Sequence, residues 1–578
     1  MTWDDAQVTQ TTATSADMLN LLVAVKALRE QVADSALPLD LPDVAASQRA
    51  RSELLRQLDD YVIPRLSSLD APLLAVVGGS TGAGKSTLVN SLVGQVVSTP
   101  GVLRPTTRSP VLVHHSSDER WFTDDRVLPE LARVTGGASA EGESSVRLVA
   151  SDTLPPGLAL LDAPDIDSVV AHNRDLARQL LSAADLWLFV TTAARYADAV
   201  PWGLLRQAAE RGTAVAVILD RVPPEVVEEI RDHLGVMLRE QGLATAPIFT
   251  IAESRLQDGG LLPDEQIARL QSWLTALAKD ARARAIVVRQ TLTGALDSLE
   301  ARTQLLVEAS AAQLAATTAL ASAADTAYAD AVEGVKHGMS DGTLLRGEVL
   351  ARWQEFVGTG EFFKQVETTV SRVRDRLVAL VKGDPPPTQD LGQALQSGVA
   401  ELIRAEGQGA ASATARSWRT LVGGGALLDA HPGLPRVSPE FDDNVSSLVH
   451  DWQGDVLALV RNEGRDRRTT ARVTAYGVNA VGTVLILVTF SQTAGLTGAE
   501  VGIAGGTAIL GQKLLEAIFG DQAVRILAVK ARQALLERVE QLSFEEQGRF
   551  TAAVDTVEIK RDQGRRLASA ALAVKAAR

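Results

Sequence analysis

Gly79-Ser80-Thr81-Gly82-Ala83-Gly84-Lys85-Ser86 satisfies the phosphate-loop spacing G-x-x-x-x-G-K-[ST]. An apolar run, Leu73 to Val77, precedes it, and a helical stripe opens through Thr87, Leu88, Val89, Leu92 and Val93. Each part has a physical use. Glycines let backbone N–H groups curl around phosphate oxygens without Cβ clashes, and a helix N-terminus adds partial positive charge. Lys85 is expected against the terminal phosphates and the Ser86 hydroxyl on Mg²⁺. The residues from Gly79 to Thr87 are thus the expected phosphate cradle.

A second apolar run, Leu158-Ala159-Leu160-Leu161, ends in Asp162, a carboxylate placed to reach that Mg²⁺ through water. Between the two lies Gly101-Val102-Leu103-Arg104-Pro105-Thr106-Thr107-Arg108-Ser109-Pro110. A threonine here can give a hydroxyl to Mg²⁺ and an amide to the last phosphate, so the loop senses nucleotide state. Thr107 is the expected switch residue, with Thr106 the alternative. Arg104 and Arg108 read as solvated loop cations.

The elements that must position these groups are legible as pattern. Further apolar runs occur at Leu186–Val190, Ala214–Leu219 and Ile248–Ile251, with helix-like stretches such as Arg174–Ser182 and Glu225–Gln241 between them. Buried strands alternating with helices predict an α/β domain, a mostly parallel sheet with helices on both faces. Before it, residues 15–69 read as helix, broken between Ser35 and Pro42. After about residue 280 the strands stop, and 281–335 predicts one long helix or a helical pair, followed by more helices at 345–382, 390–420, 439–465 and 521–578. The expected organisation is N-terminal helices over 1–70, a nucleotide domain over 71–280 and a long all-α stalk over 281–578.

The chain has 578 residues, 46% apolar and 22% charged, so it can bury large cores. It has no cysteine, which excludes disulfides, thiol nucleophiles and Cys-ligated zinc. A net charge of −14 with 4% aromatics argues against a nucleic-acid coat. The opening residues lack an apolar run behind a basic start, so no secretory signal is expected and the compartment is read as cytoplasmic.

The phosphate loop, the Pro105-Thr106-Thr107 switch and Asp162-Ala163-Pro164-Asp165 resemble the first three motifs of translation-factor-type GTPases. Ser86-Thr87-Leu88-Val89-Asn90-Ser91-Leu92-Val93-Gly94 is similar to their usual S-L-x-N-x-L-x-G, and the long Lys85-to-Asp162 interval resembles bacterial dynamin-like proteins of the actinobacterial type. The resemblance covers about residues 72–255. It implies a P-loop GTPase domain with a helical stalk, Mg²⁺ as cofactor, GTP as substrate, and Lys85, Thr107 and Asp162 as the residues carrying hydrolysis. It also implies self-association or pairing with a second GTPase. The chain departs from the pattern at four places. Asp165 stands where the third motif has Gly, Ile166 where a water-orienting Gln can follow, and Gly82 where dynamin-like loops often carry Ser. In the base-reading motif the chain has Asp220-Arg221-Val222-Pro223: Arg221 can stack on the base and Asp220 can accept from it, but Pro223 replaces the guanine-reading carboxylate. Ala252-Glu253-Ser254 is loosely similar to the fifth motif. An ATP-using P-loop ATPase is the alternative, although no L-S-G-G-Q-like signature precedes Asp162.

Val473 to Gln512 holds one charge, Glu500, with a basic flank of Arg461, Arg465, Arg467, Arg468 and Arg472. Its first half approaches the ~20 residues that cross a bilayer, and small residues are frequent, as in packed membrane helices. The reading is an apolar hairpin over 473–512 that enters a membrane with an anionic lipid surface, in a protein held peripherally or partly inserted at the inner face of the cell membrane. The alternative is a buried hairpin in a soluble regulatory or scaffold NTPase that acts through protein partners.

Overall fold

The computed structural model describes residues 3–98, 110–124, 126–135, 145–168, 171–257, 259–340, 387–463, 478–491, 515–516 and 519–578. The chain divides into two compact units, one of residues 1–37, 43–312 and 560–578 and one of 38–42 and 313–559. The first contains an eight-stranded sheet in the order β3-β4-β2-β5-β1-β6-β7-β8. The strands are β1 (Leu73–Gly79), β2 (Val111–His114), β3 (Ala132–Val134), β4 (Ser145–Ala150), β5 (Leu158–Asp162), β6 (Leu186–Thr192), β7 (Ala214–Val222) and β8 (Ile248–Ala252). Pairing is parallel except between β2 and β5.

The central strands are continuous apolar runs up to their carboxyl ends because both faces are covered. Leu73, Ala75 and Val77 point into one core with Leu88, Leu92, Leu270 and Leu274, while Leu74 and Val76 point into the other with Leu176 and Leu180. This is the period-two alternation of a strand, with an apolar layer on each side. The five runs predicted from sequence are β1, β5, β6, β7 and β8. The strands β2, β3 and β4 were not anticipated, since they are three to six residues long and carry His114, Arg133 and Arg147. The registers put Val77 beside Asp162, Gly79 beside Val190 and Thr192 beside Asp220. The groups predicted to do chemistry therefore share the carboxyl edge of the sheet, where ligands of such folds bind.

The helices of this unit begin with α1 (Trp3–Asp34), α2 (Val44–Gln57), α3 (Ile63–Ser67), α4 (Lys85–Val93), α5 (Ala171–Ser182), α6 (Ala199–Glu210), α7 (Val227–Glu240) and α8 (Asp264–Lys279). Next comes α9 (Ala281–Gly338), one continuous helix rather than a pair, whose first part belongs to this unit. The second unit, among its described residues, is helical throughout. It holds the remainder of α9 with α10 (Pro387–Thr420), α11 (Gly424–Ala430), α12 (Phe441–Glu463), α13 (Val478–Ser491) and α14 (Asp521–Asp555). Two tryptophans fix its layers. Trp418 Nε1 donates to the Leu320 carbonyl at 2.9 Å and Trp452 Nε1 to that of Ala531 at 2.7 Å, each indole satisfying its one polar atom inside a core.

Of the predicted apolar hairpin, only α13 is described; 473–477 and 492–512 lie outside the described residues, as does all of the helix predicted over 345–382. Val481, Val484, Leu485, Ile486 and Val488 are buried in one core with Trp452, Val456, Leu527 and Leu535. The described part of the hairpin is thus packed against protein, with Thr489 closing its hydroxyl on the Leu485 carbonyl at 2.8 Å.

The first unit is completed by α15 (Gln563–Ala576), which packs with α1, α2 and the start of α9 through Leu21, Leu28, Leu54, Leu299 and Leu567. Between α2 and α3 the chain makes a wider π-helical turn, Leu58–Val62. Just beyond it, the buried Arg65 pairs with Asp185 and donates to the Pro72 carbonyl at 3.2 Å. Asp185 also accepts from the Leu74 amide at 2.8 Å, so the pair fixes the start of β1 against the start of β6. The π turn also buries Asp60, whose two carboxyl oxygens find no hydrogen-bond partner among the described residues. Burial, then repulsion from Glu130 and Asp59, raise its pKa to about 7, against weaker opposing pulls from Gln179 and Arg56. A carboxyl raised in the folded state is fully tolerated below its unfolded pKa and penalises folding progressively from about pH 4 to about pH 7, by about 4 kcal/mol in all. Asp60→Asn is expected to raise the melting temperature at pH 8 and to lose that advantage near pH 4; equal effects at both pH values would refute the assignment.

Candidate functional site

β1 delivers the chain to the phosphate loop with the tightest backbone approach in this part of the fold. A Cβ on Gly79 would lie 2.0 Å from the Val190 carbonyl oxygen, so no other residue fits between β1 and β6. The loop then turns through Gly84, which has φ +91° and caps α4. A Cβ there would meet Asp220 Oδ2 at 2.3 Å. The glycine spacing thus lets the loop fold tightly between β6 and the end of β7.

Lys85 opens α4 and is nearly buried. Its ammonium donates to the carbonyls of Gly79 at 3.0 Å and Ser80 at 3.1 Å, which holds the side chain curled back over its own loop. Its third donor goes to Asp165, in the segment that follows β5. The next residue, Ser86, donates its hydroxyl to Asp162 Oδ2 at 2.6 Å. Ser98 donates to the same oxygen at 2.6 Å. Asn90 holds Ser98 in place, accepting from its amide at 2.8 Å and donating to its carbonyl at 2.7 Å. Asp162 is fully buried and its Oδ1 has no hydrogen-bond partner among the described residues. Burial pushes its carboxyl up, and donation from Ser86 and Ser98 with the charge of Lys85 does not offset this. A buried carboxylate with one satisfied and one orphaned oxygen, beside a hydroxyl, is a donor set that suits a hard divalent cation.

The segment after β5 closes the mouth of the loop with two carboxylates. Asp165 takes the ammonium of Lys85. Asp167 Oδ1 takes both the amide and the hydroxyl of Thr81, each at 2.6 Å. Arg195, from the turn after β6, donates to Asp167 Oδ2 at 3.1 Å, to the Thr81 carbonyl at 2.9 Å and to Asp198 at 2.9 Å. Burial alone raises Asp167, but donation from Thr81 and the charge of Arg195 outweigh it and hold the carboxyl below the usual range.

At the far side of the loop, Asp220 is buried and accepts from the Arg221 amide at 2.9 Å. Burial raises its carboxyl against that donation and the Arg221 charge. Arg221 has φ +54°, a left-handed conformation costly for a residue with a side chain. It sits where the β7–β8 register shifts, and the exposed side chain lies close to Gly84. Pro223 follows with no carboxylate. The amide of Glu253, at the end of β8, donates to the Val222 carbonyl at 3.0 Å and leaves its own side chain exposed beside this strand end.

Of the residues predicted from sequence, Gly79 to Thr87, Asp162, Asp220 and Arg221 come together at one edge of the sheet. Residues 101–109, with Thr107, Thr106, Arg104 and Arg108, lie outside the described residues. Sequence reasoning missed Ser98, Asp167 and Arg195. Asn90 was seen only as part of a helix motif; its side chain proves to pin the chain that leads toward the switch loop. No local spacing marks the other three, since each reaches the loop across the fold.

The loop, the strand-end aspartate and the mostly parallel sheet define a P-loop α/β domain, combined with a long helical region. No protein-family model matches the chain, and no curated protein matches it in sequence. Among solved structures, an oligomerised bacterial dynamin pair, described as sensing and tethering membranes, aligns over 99% of this chain and 99% of its own, at 9% identity and a TM-score of 0.44. Era from Aquifex aeolicus bound to GDP and aluminium fluoride aligns over 35% of this chain and 57% of its own, at 20% identity and a TM-score of 0.23. Toc33 from Arabidopsis thaliana with GDP and Mg²⁺ aligns over 41% and 94%, at 17% identity and a TM-score of 0.24.

Two substitutions test the geometry. Asp165→Asn removes the anion seated on Lys85, so Mg²⁺–triphosphate is expected to bind about tenfold tighter, roughly 1.4 kcal/mol, in a calorimetric titration; unchanged or weaker binding would show that Asp165 does not compete. Gly84→Ala places a methyl group against Asp220 at positive φ and is expected to abolish nucleotide binding, with far-UV circular dichroism confirming that the fold survives.

Proposed function

We propose that the chain binds and hydrolyses GTP with Mg²⁺ as a dynamin-like GTPase whose nucleotide state governs its association with a membrane. The observation that carries the nucleotide reading is the constellation of Lys85, Ser86 and Asp162 around the phosphate loop, with Asp162 Oδ1 left without a partner among the described residues. Ser86 and Asp162 are the residues that would hold Mg²⁺, with Thr107 of the switch loop the expected further ligand. When bound, the cation would supply positive charge that offsets the charge of the phosphates.

The protein's own groups do the rest. The Lys85 ammonium exchanges Asp165 for phosphate oxygens, and the loop amides donate to the same anion. The exchange frees the segment after β5, which is how a bound triphosphate reorganises that loop, and hydrolysis restores the carboxylate contacts. Guanine is the base implied by the resemblance. Arg221, exposed beside Gly84, would stack on it and Asp220 would accept from it.

Membrane association rests on the apolar hairpin and its basic flank, with an anionic lipid surface as partner and the inner face of the cell membrane as location. Self-association, or pairing with a second GTPase, belongs to the same reading. A second reading, a soluble scaffold NTPase acting through protein partners, is favoured by the burial of Val484, Leu485 and Val488 within the second unit.

Titration with GTP and ATP in the presence of Mg²⁺ tests the nucleotide reading. GTP is expected to bind and ATP to compete poorly, with Lys85→Ala losing binding at least about a hundredfold; equal displacement by ATP would refute guanine selectivity. Co-sedimentation with anionic liposomes tests the membrane reading. Failure of the full chain to bind them, with or without GTP, would leave the scaffold reading.

A further inference from the structure

We propose that Arg195 is the cation that stabilises the phosphoryl group during hydrolysis, supplied within the chain. This deepens the GTPase reading above and rests on it. The chain lacks two familiar aids to turnover: Ile166 stands where a water-orienting Gln can follow, and Gly82 stands where a hydroxyl is often found. The structure places a guanidinium at the mouth of the loop instead.

The argument comes from what Asp167 reveals. Its carboxylate accepts from the Thr81 amide and hydroxyl on one oxygen and from Arg195 on the other. A site that binds a carboxylate with one loop amide, one hydroxyl and one guanidinium is an anion position of the phosphate loop, and Arg195 is part of its wall. Asp165 marks a neighbouring position on Lys85 in the same way. The two carboxylates stand in for phosphate oxygens, so a triphosphate that displaces them meets Lys85 at one position and Arg195 at the other. Arg195 is held to this place by its bond to the Thr81 carbonyl and by Asp198, neither of which needs Asp167. The contact therefore survives when the segment after β5 moves away.

In the reaction, a water oxygen forms a bond to the γ-phosphorus while the bond from that phosphorus to the β–γ bridging oxygen breaks. The electron pair leaves with the diphosphate, and the water proton ends on the released phosphate. Charge shifts onto oxygens at the mouth of the loop, where a planar donor fork matches them best. A cation that acts mainly in the transition state changes rate much more than ground-state affinity.

The experiment compares the full chain with Arg195→Ala and Arg195→Lys. Three quantities are read: single-turnover hydrolysis of Mg²⁺–GTP, affinity for GDP, and the gain in GDP affinity on adding aluminium fluoride. The Ala variant is expected to lose about 10² to 10³ in rate, to keep GDP affinity within about threefold, and to lose the fluoride-dependent gain. The Lys variant should recover part of both rate and gain, as a point charge without the fork. Where turnover is slow, the fluoride arm reads the same contact. An Ala variant with undiminished rate and gain overturns the assignment, and so does one that loses GDP affinity in proportion to rate, because that marks a structural latch. A wild-type chain that binds no GTP defeats the nucleotide reading itself, and is distinguished by the absence of any heat before the variants are compared.

Discussion

A tight turn of backbone amides with a buried ammonium at its centre cannot stand empty of negative charge at low cost. Lys85 is almost out of water, and its two carbonyl partners are dipoles, not charges. An uncompensated buried cation costs several kcal/mol, so something anionic must sit at the mouth of the loop in every state. In the structure Asp165 and Asp167 do so. This constraint ties the segment after β5 to the loop, and through Arg195 it also ties in the turn after β6. Three segments that are distant in sequence are held together by one requirement for charge balance.

The sheet makes that requirement rigid. Gly79 lies against the backbone of β6 and Gly84 against Asp220 at the end of β7, so the loop is gripped on both sides and can neither widen nor slide. The Arg65–Asp185 pair fixes the other ends of β1 and β6. A loop held at this precision presents its amides without reorganisation, which is the condition under which fixed dipoles are most effective. The left-handed Arg221 shows the same logic in the backbone. A conformation that costs about 1 kcal/mol or more persists where the surroundings determine it, and here a register shift between β7 and β8 turns its side chain outward beside the loop.

What the sequence could disclose follows from the range of each interaction. The phosphate loop and Asp162 are local patterns, a spacing and a strand end, and they were legible. So were the central strands, since burial on both faces leaves continuous apolar runs. The strands β2, β3 and β4 were not, because strands of three to six residues that carry His114, Arg133 and Arg147 show no apolar run. Asp167 and Arg195 were invisible for another reason. Their partners lie 86 and 114 residues away at Thr81, and an aspartate and an arginine in two loops have no signature until the fold joins them. Asp165 was seen only as a departure from a motif, and its role as the counter-ion of Lys85 required the structure.

The helix Val478–Ser491 shows where hydropathy stops being informative. Packed membrane helices and packed core helices share Gly, Val and Thr because both bury backbone closely. Moving the five buried aliphatic side chains of this helix into water would cost about 10 kcal/mol. Coupling free energies between ligand sites are typically about 1–3 kcal/mol, so nucleotide exchange cannot expose this helix to solvent. Transfer from a protein core to lipid is different, because both surroundings are apolar and the hydrophobic terms nearly cancel. If this helix enters a membrane, departure from the core and insertion must therefore be one concerted step at the lipid surface, with the nucleotide deciding only when that step is permitted.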